Sequence, residues 1–186
     1  IVALTSEAKE QIIEPLKALD NLKLKAIDSS FSVSVISDEC ISLKELTDMI
    51  YGCSQSRTTI RFLTPTAFKS AGQYVFMPST QLLFQNLLMR YFYVFEEGSE
   101  PDAETITYLS EHTSIIAYNL RSQYADNIAS KGKKIPAFIG SLTLKINGEQ
   151  TLTGFAQMLL SFGEFAGIGI KTSMGMGAMS VIQKRQ

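Results

Sequence analysis

The sequence is short of the residues that most metal and redox chemistry requires. Its 186 residues contain two cysteines and one histidine. Cys40 and Cys53 stand apart, with no CxxC pair and no Cys/His ligand spacing, so neither a zinc site nor a disulfide framework can be drawn. Both read as free thiols of a reducing compartment, which points to the cytoplasm. No metal and no cofactor is expected. Long apolar runs are also missing. The longest, Leu82 to Phe95, is broken by Gln85, Asn86 and Arg90, and nothing reaches the ~18 residues of a membrane span. Membrane partners are therefore not expected. Glu96, Glu97 and Glu164 form no recognisable carboxylate pair for acid–base hydrolysis.

Charge of one sign is not in excess. Seventeen Lys/Arg against eighteen Asp/Glu leave a net −1, which argues against generic nucleic-acid binding. The balance is uneven along the chain, however. Residues 1–111 carry nine Lys/Arg and fifteen Asp/Glu, while residues 112–186 carry eight and three. The basic half contains Arg121, Lys131, Lys133, Lys134, Lys145 and Lys171. With 45% hydrophobic and 19% charged residues, the composition is that of a folded protein of one domain or two small ones.

The most informative segment is Gly167-Ile168-Gly169-Ile170-Lys171-Thr172-Ser173-Met174-Gly175-Met176-Gly177. Glycine admits positive φ and close backbone approach, and successive amides in such a loop can form an anion-binding concavity. Lys171, Thr172 and Ser173 add one charge and two hydroxyls. Upstream, Leu152, Phe155, Leu159, Phe162 and Ala166 recur at helical spacing. Downstream, residues 178–182 read as a short strand. The loop thus joins helix to strand, which excludes a dinucleotide fingerprint, and Ile170 before the lysine excludes a Walker A loop. The plainer alternative is a helix stop followed by an ordinary turn.

The remaining periodicities give an element order. Ile1–Leu4 reads as the end of a strand. Thr5 or Ser6 caps a helix that carries Ala8, Ile12, Leu16 and Leu19, with Pro15 either bending or starting it. Phe31, Val33 and Val35 alternate as a half-buried strand. These pieces look like part of a domain, 1–54, whose earlier portion is expected to be missing. From residue 55 to 186 one unit follows. Arg57–Leu63 is a strand with Ile60 and Phe62 on one side, and Phe68–Phe76 is a hairpin arm. Thr80–Phe95 is a helix apolar almost all round, expected to be buried. Glu96–Glu111 is an acidic connector. Ile115–Arg121 and Phe138–Ile146 are strands around a polar stretch, Ser122–Lys134, and a helix (Leu152–Ala166), the glycine loop and a last strand complete it. The order is β-α-β-β-α-β. The fold class is therefore α+β, a ferredoxin-like (RRM-like) domain preceded by part of a second one. Tyr118, Tyr124, Phe138, Tyr74 and Phe76 are the aromatics placed to stack on bases, Tyr124 foremost; no RNP aromatic motif is present.

Three segments together resemble one family. A helix followed by a GxGxxxxxGxG loop and a closing strand is similar to the C-terminus of Cas6-type CRISPR endoribonucleases of the RAMP superfamily. Arg61-Phe62-Leu63-Thr64-Pro65-Thr66-Ala67-Phe68-Lys69, followed by Met77-Pro78-Ser79, resembles the central stretch of that family. Lys134-Ile135-Pro136-Ala137-Phe138-Ile139-Gly140 resembles its strand before the last helix. The resemblance implies metal-independent cleavage of CRISPR repeat RNA to a 2′,3′-cyclic phosphate. The candidate RNA contacts are Gly167, Gly169, Lys171, Thr172, Ser173, Gly175 and Gly177 of the loop. Arg121, Lys131, Lys133 and Lys134 add phosphate contacts if the hairpin around Ser122–Lys134 and the loop share a side, the plainer alternative being a solvated hairpin tip. Lys171 is the candidate for stabilising developing charge. A homodimer and other CRISPR effector subunits are further partners it admits. The family's usual catalytic histidine lies in its N-terminal domain, and His112 does not match that position, so it reads as a structural histidine. Two alternatives stay open: an RNA-binding effector subunit without catalysis, and a ferredoxin-like assembly module.

Overall fold

The computed structural model describes residues 2–24, 29–34, 40–52, 55–96, 98–126 and 134–182. The chain forms two compact units, Ile1–Ser42 and Leu43–Gln186.

In the first unit Thr5 caps the opening helix, its hydroxyl accepting the Ala8 amide at 3.2 Å. That helix, α1, is α over Ser6–Ala8, π over Lys9–Ile13 and α again over Glu14–Lys17. The π stretch is the answer to Pro15. Proline has no N–H to give the carbonyl four residues back, and the Glu14 amide reaches Lys9, five residues back, instead. Strand β1 (Asn21–Leu24) pairs antiparallel with β2 (Ser29–Ser32), Leu22 opposite Phe31. The expected alternation thus ends as strand at Ser32; Val35 lies outside the described residues. Residues 2–4 are not strand.

The second unit opens with α2 (Leu43–Gly52), an element that the sequence reading did not foresee. It then runs β3 (Arg57–Thr66), β4 (Phe68–Ser70), β5 (Gln73–Val75), α3 (Thr80–Phe95), α4 (Ala103–Glu111), β6 (Thr113–Asp126), β7 (Lys134–Ile146), α5 (Gln150–Ala166), a 3-10 turn (Thr172–Met174) and β8 (Met179–Ile182). Setting aside α2, α4 and the small β4–β5 hairpin, this is the expected β-α-β-β-α-β order. The sheet order is β6-β7-β3-β8, with every neighbouring pair antiparallel, the ferredoxin-like arrangement.

Alternation along β3 decides which face is covered. Thr58, Ile60 and Phe62 are buried, while Arg57, Arg61 and Leu63 are exposed. Leu142, Leu144 and Ile146 of β7 join the buried set, together with Leu83, Phe84, Leu87 and Leu88 of α3 and Ala156, Leu159 and Leu160 of α5. At its centre Phe62 meets Phe138 edge to face, with ring centroids 4.8 Å apart. Helix α2 packs along α5, where the Gln157 side-chain amide donates to the Gln55 carbonyl at 2.9 Å and to the Thr58 hydroxyl.

Three expectations are corrected. Helix α3 is not buried all round: Met89 and Tyr93 are exposed, because four residues per two turns suffice to meet the sheet and α5. The acidic connector contains a complete helix, α4, started by Asp102, whose carboxylate accepts the Glu104 amide at 3.2 Å. Strands β6 and β7 extend well into the polar stretch, because a two-stranded arm needs no apolar alternation to satisfy its backbone.

Phe62→Ala should cost about 3–5 kcal/mol, the usual range for truncating a buried phenylalanine. Denaturant unfolding would check it; a loss below 1 kcal/mol would mean that this pair does not centre the core.

Candidate nucleic-acid interface

The glycine loop begins where α5 ends. Gly167 leaves the helix at φ 67°, and its amide still donates to Gly163 at 2.9 Å. From there most loop amides are engaged inside the protein. Ile168 donates to Gly177 at 2.8 Å, Ile170 to Ala67 at 2.9 Å and Gly177 to Pro65 at 3.0 Å. Ala178 donates to the Thr64 hydroxyl at 2.9 Å. The loop is thereby stitched to the end of β3 rather than hanging free. Gly169 and Gly177 make this possible: both have positive φ, and a side chain there would strike the carbonyls of Ala67 and Ile168 respectively.

The second tether comes from α3, and the sequence reading passed over it. Asn86 and Arg90, noted above for breaking the helix's apolar run, face the loop. The Asn86 Oδ1 accepts the Gly169 amide at 2.7 Å and the Arg90 Nε–H at 3.1 Å. Arg90 then spreads its fork. Nη2 donates to the Gly169 carbonyl at 2.6 Å, and Nη1 to the Ala166 carbonyl at 3.3 Å and to the Thr172 hydroxyl oxygen at 2.9 Å. Through the Ala166 carbonyl the cation meets the C-terminal end of α5, where the helix dipole is negative. Partial burial pulls the guanidinium below its ordinary pKa by desolvation. The signal that could have revealed this tether is the helical spacing of the two polar residues, four apart on one face.

Between the tethers, the loop's middle faces outward. Ser173, Met174 and Gly175 are exposed; Lys171 and Thr172 are half-buried. Lys171 holds a left-handed backbone, φ 55° and ψ 36°. A non-glycine residue there is strained by roughly 1 kcal/mol.

The β6–β7 arm and the loop lie on the same side. Met176, with Ile170 against it, shares one apolar cluster with Ala67, Ala125 of β6 and Ile135 and Ala137 of β7. Arg121 is exposed and lies four residues before Ala125 on the same face of β6. Lys134 is exposed opposite Asp126. Lys131 and Lys133 lie outside the described residues. Of the stacking candidates, Tyr124 and Tyr118 are 71% and 66% exposed, and Tyr74 and Phe76 are partly exposed. Phe138 is excluded, because it is core.

The uncovered face of the sheet adds Arg57 and Arg61, which sequence reasoning missed as contacts, and groups them with Lys145 of the basic half. Register places Arg57 opposite Lys145, Arg61 between Ser141 and Ser180, and Thr59 opposite Thr143, whose hydroxyls lie 3.0 Å apart. Like charges directly opposed across strands are unfavourable without an anion. Across β3, β6, β7 and β8 the one acidic residue is Asp126. The net −1 of the chain conceals this face, because the acids gather elsewhere, α4 among them.

His112 ends α4. Its Nδ1 is 2.9 Å from the Tyr108 carbonyl and its ring lies 4.1 Å from that of Tyr108, so it finishes a helix.

Comparison with known proteins decides what this arrangement belongs to. The family model described as CRISPR-associated endoribonuclease Cas6 matches residues 60–179. The chain belongs to the Cas6 family. The Cas6 endoribonuclease of Streptococcus thermophilus is 35% identical over 184 residues, covering 98% of this chain and 74% of that protein. The Cas6 of Mycobacterium tuberculosis is 36% identical over 184 residues, 97% of this chain and 57% of that protein. Among solved structures, a Cas6 product complex matches with a TM-score of 0.77 at 20% identity, covering 96% of this chain and 74% of that one. Thermus thermophilus Cas6 matches with a TM-score of 0.63 at 26% identity, over 76% and 58%. The Cas6 match spans β3 to the start of β8, and so includes both tethers and the loop between them.

Gly177→Ala should destabilise by about 2–4 kcal/mol, from a positive φ and a backbone collision together. Gly175→Ala, with open space around it, should cost about 1 kcal/mol. Equal losses on thermal unfolding would contradict the tethered loop.

Proposed function

We propose that this Cas6 chain binds CRISPR repeat RNA along the face shared by the glycine loop, the β6–β7 arm and the uncovered sheet, and serves its cleavage without a metal. The observation that carries the reading is the coincidence of the Cas6 match with a strained Lys171 beside exposed Ser173 on a rigidly tethered loop. In such cleavage the ribose 2′-OH loses its proton to a base and its oxygen attacks the adjacent phosphorus. The P–O5′ bond breaks, and the 5′-oxygen takes a proton from an acid. The products are a 2′,3′-cyclic phosphate and a 5′-hydroxyl. Between these steps the phosphorane gathers negative charge. A preorganised cation and hydroxyl donors lower its energy without reorganising, which is the role assigned to Lys171, Thr172 and Ser173. Gly167, Gly169 and Gly177 shape the loop, and Gly175 leaves its outer turn open.

Arg57, Arg61, Arg121, Lys134 and Lys145 supply phosphate contacts that give affinity and register rather than base identity. Tyr118 and Tyr124 are exposed, but alternation along β6 sets them on the face opposite Arg121, so they are assigned no stacking role. His112 is assigned no proton transfer, since its ring is held against the end of its own helix. The same reading admits a second copy of the chain and other effector subunits as partners, in the cytoplasm. The RNA-scaffold alternative shares every one of these contacts and differs in the absence of product.

Incubation with end-labelled repeat RNA in EDTA tests the reading. Cleavage to a cyclic phosphate supports it, binding without product favours the scaffold, and neither would return the chain to an assembly module. Lys171→Ala should weaken RNA binding roughly tenfold and flatten the salt dependence by about one phosphate contact; unchanged affinity would remove the loop from the site. His112→Ala should leave any cleavage within tenfold, whereas a loss of ~100-fold or more would mark it as an acid or base.

A further inference from the structure

We propose that Arg90 and Asn86 are positioning residues for the RNA site, acting through Lys171 and Thr172 without touching RNA; this rests on the reading of the loop given above. Four observations carry it. First, Arg90 is committed elsewhere: Nε, Nη1 and Nη2 all donate within the protein, to Asn86, Ala166, Thr172 and Gly169. Second, those acceptors bracket Lys171. Gly169 lies two residues before it and Thr172 directly follows. Holding both ends of so short a segment leaves the backbone between them little choice, and Lys171 is found left-handed.

Third, guanidinium can only donate. The Thr172 hydroxyl therefore receives from Arg90 and keeps its own proton to give. A hydroxyl with one lone pair occupied and its proton uncommitted to that partner is a donor ready for a phosphate oxygen. Fourth, the Lys171 carbonyl accepts the amides of Met174 and Met176, at 3.0 and 3.3 Å. A change in the Lys171 backbone would therefore travel to the exposed turn that carries Ser173. The tether thus converts a flexible glycine-rich segment into a set of donors fixed before RNA arrives, which spares the entropy of ordering them on binding.

Arg90→Lys is the informative variant. It keeps the charge, so long-range attraction to RNA is unaltered. A single ammonium, however, cannot fork across the Ala166 and Gly169 carbonyls and the Thr172 hydroxyl together. The full chain and three variants, Arg90→Lys, Lys171→Ala and the double substitution, are titrated with labelled repeat RNA at several salt concentrations, well below their melting temperatures. Positioning predicts that Arg90→Lys loses about as much affinity as Lys171→Ala, roughly tenfold, with the same fall in salt slope. The double variant should lose little more than either one, since residues acting through one another are not additive.

Wild-type affinity and slope in Arg90→Lys would overturn the proposal and leave Arg90 a structural cap. Additive losses would also overturn it, because they would mean an effect independent of Lys171. If Lys171→Ala itself binds like wild type, the loop reading fails first and this inference with it, a result distinct from either of the others. Should Arg90→Lys fail to fold, Asn86→Ala removes the acceptor shared by the Gly169 amide and Arg90, and the same cycle is run with it under the same criteria.

Discussion

A single guanidinium joins two helices and the glycine loop of the second unit. Arg90 belongs to the first long helix of the β-α-β-β-α-β order, and its acceptors belong to the end of the second helix and the loop beyond. A helix end leaves carbonyls without partners, and a loop that must curl back on β3 cannot supply enough donors of its own. Arg90 satisfies both needs at once. Its placement requires α3 and α5 to lie side by side on the sheet, and that requires the buried stripe of Ile60, Phe62, Leu142 and Leu144. Core, helix pairing and loop geometry are thus one chain of dependence.

The consequence is a division of labour within the loop. Its ends are buried and bonded to Ala67, Pro65 and Asn86, while its middle presents Lys171, Thr172 and Ser173. Glycine at 169 and 177 serves backbone contact and is structural in the first instance. This modifies the simplest picture of a glycine-rich loop, in which free amides do the binding. Here the amides largely hold the loop, and the side chains of its middle are what it offers to a ligand. Further cations, Arg61, Arg57 and Lys145, stand on the uncovered face of the sheet despite the chain's net charge.

Much of the fold was legible in the sequence because its signals are local. Alternation in Arg57–Leu63 and Leu142–Ile146, and helical spacing in Leu152–Ala166, report one-sided burial directly. The glycine loop was legible through composition. Helix α2 was not, since its burial against α5 is a long-range contact that polar residues such as Lys44 and Asp48 obscure. Nor was α4, hidden among acids that read as a solvated connector. The partial exposure of α3 was misjudged for the reverse reason: Met89 and Tyr93 are apolar yet face outward. At the site, Lys171 and Arg121 were visible as cations in a basic half. Asn86 and Arg90 were not, because a polar residue in an apolar helix carries no label of what it reaches. Arg57, Arg61 and Lys145 needed the strand register before they became one surface.

The central claim is that this chain recognises CRISPR repeat RNA through a basic, preorganised face. The most direct measurement is equilibrium binding of the chain to labelled repeat RNA, set against a scrambled RNA of the same length and composition, over a range of salt concentrations. The account predicts tighter binding to the repeat, with affinity that falls as salt rises. Equal binding to both RNAs, or affinity indifferent to salt, would contradict it.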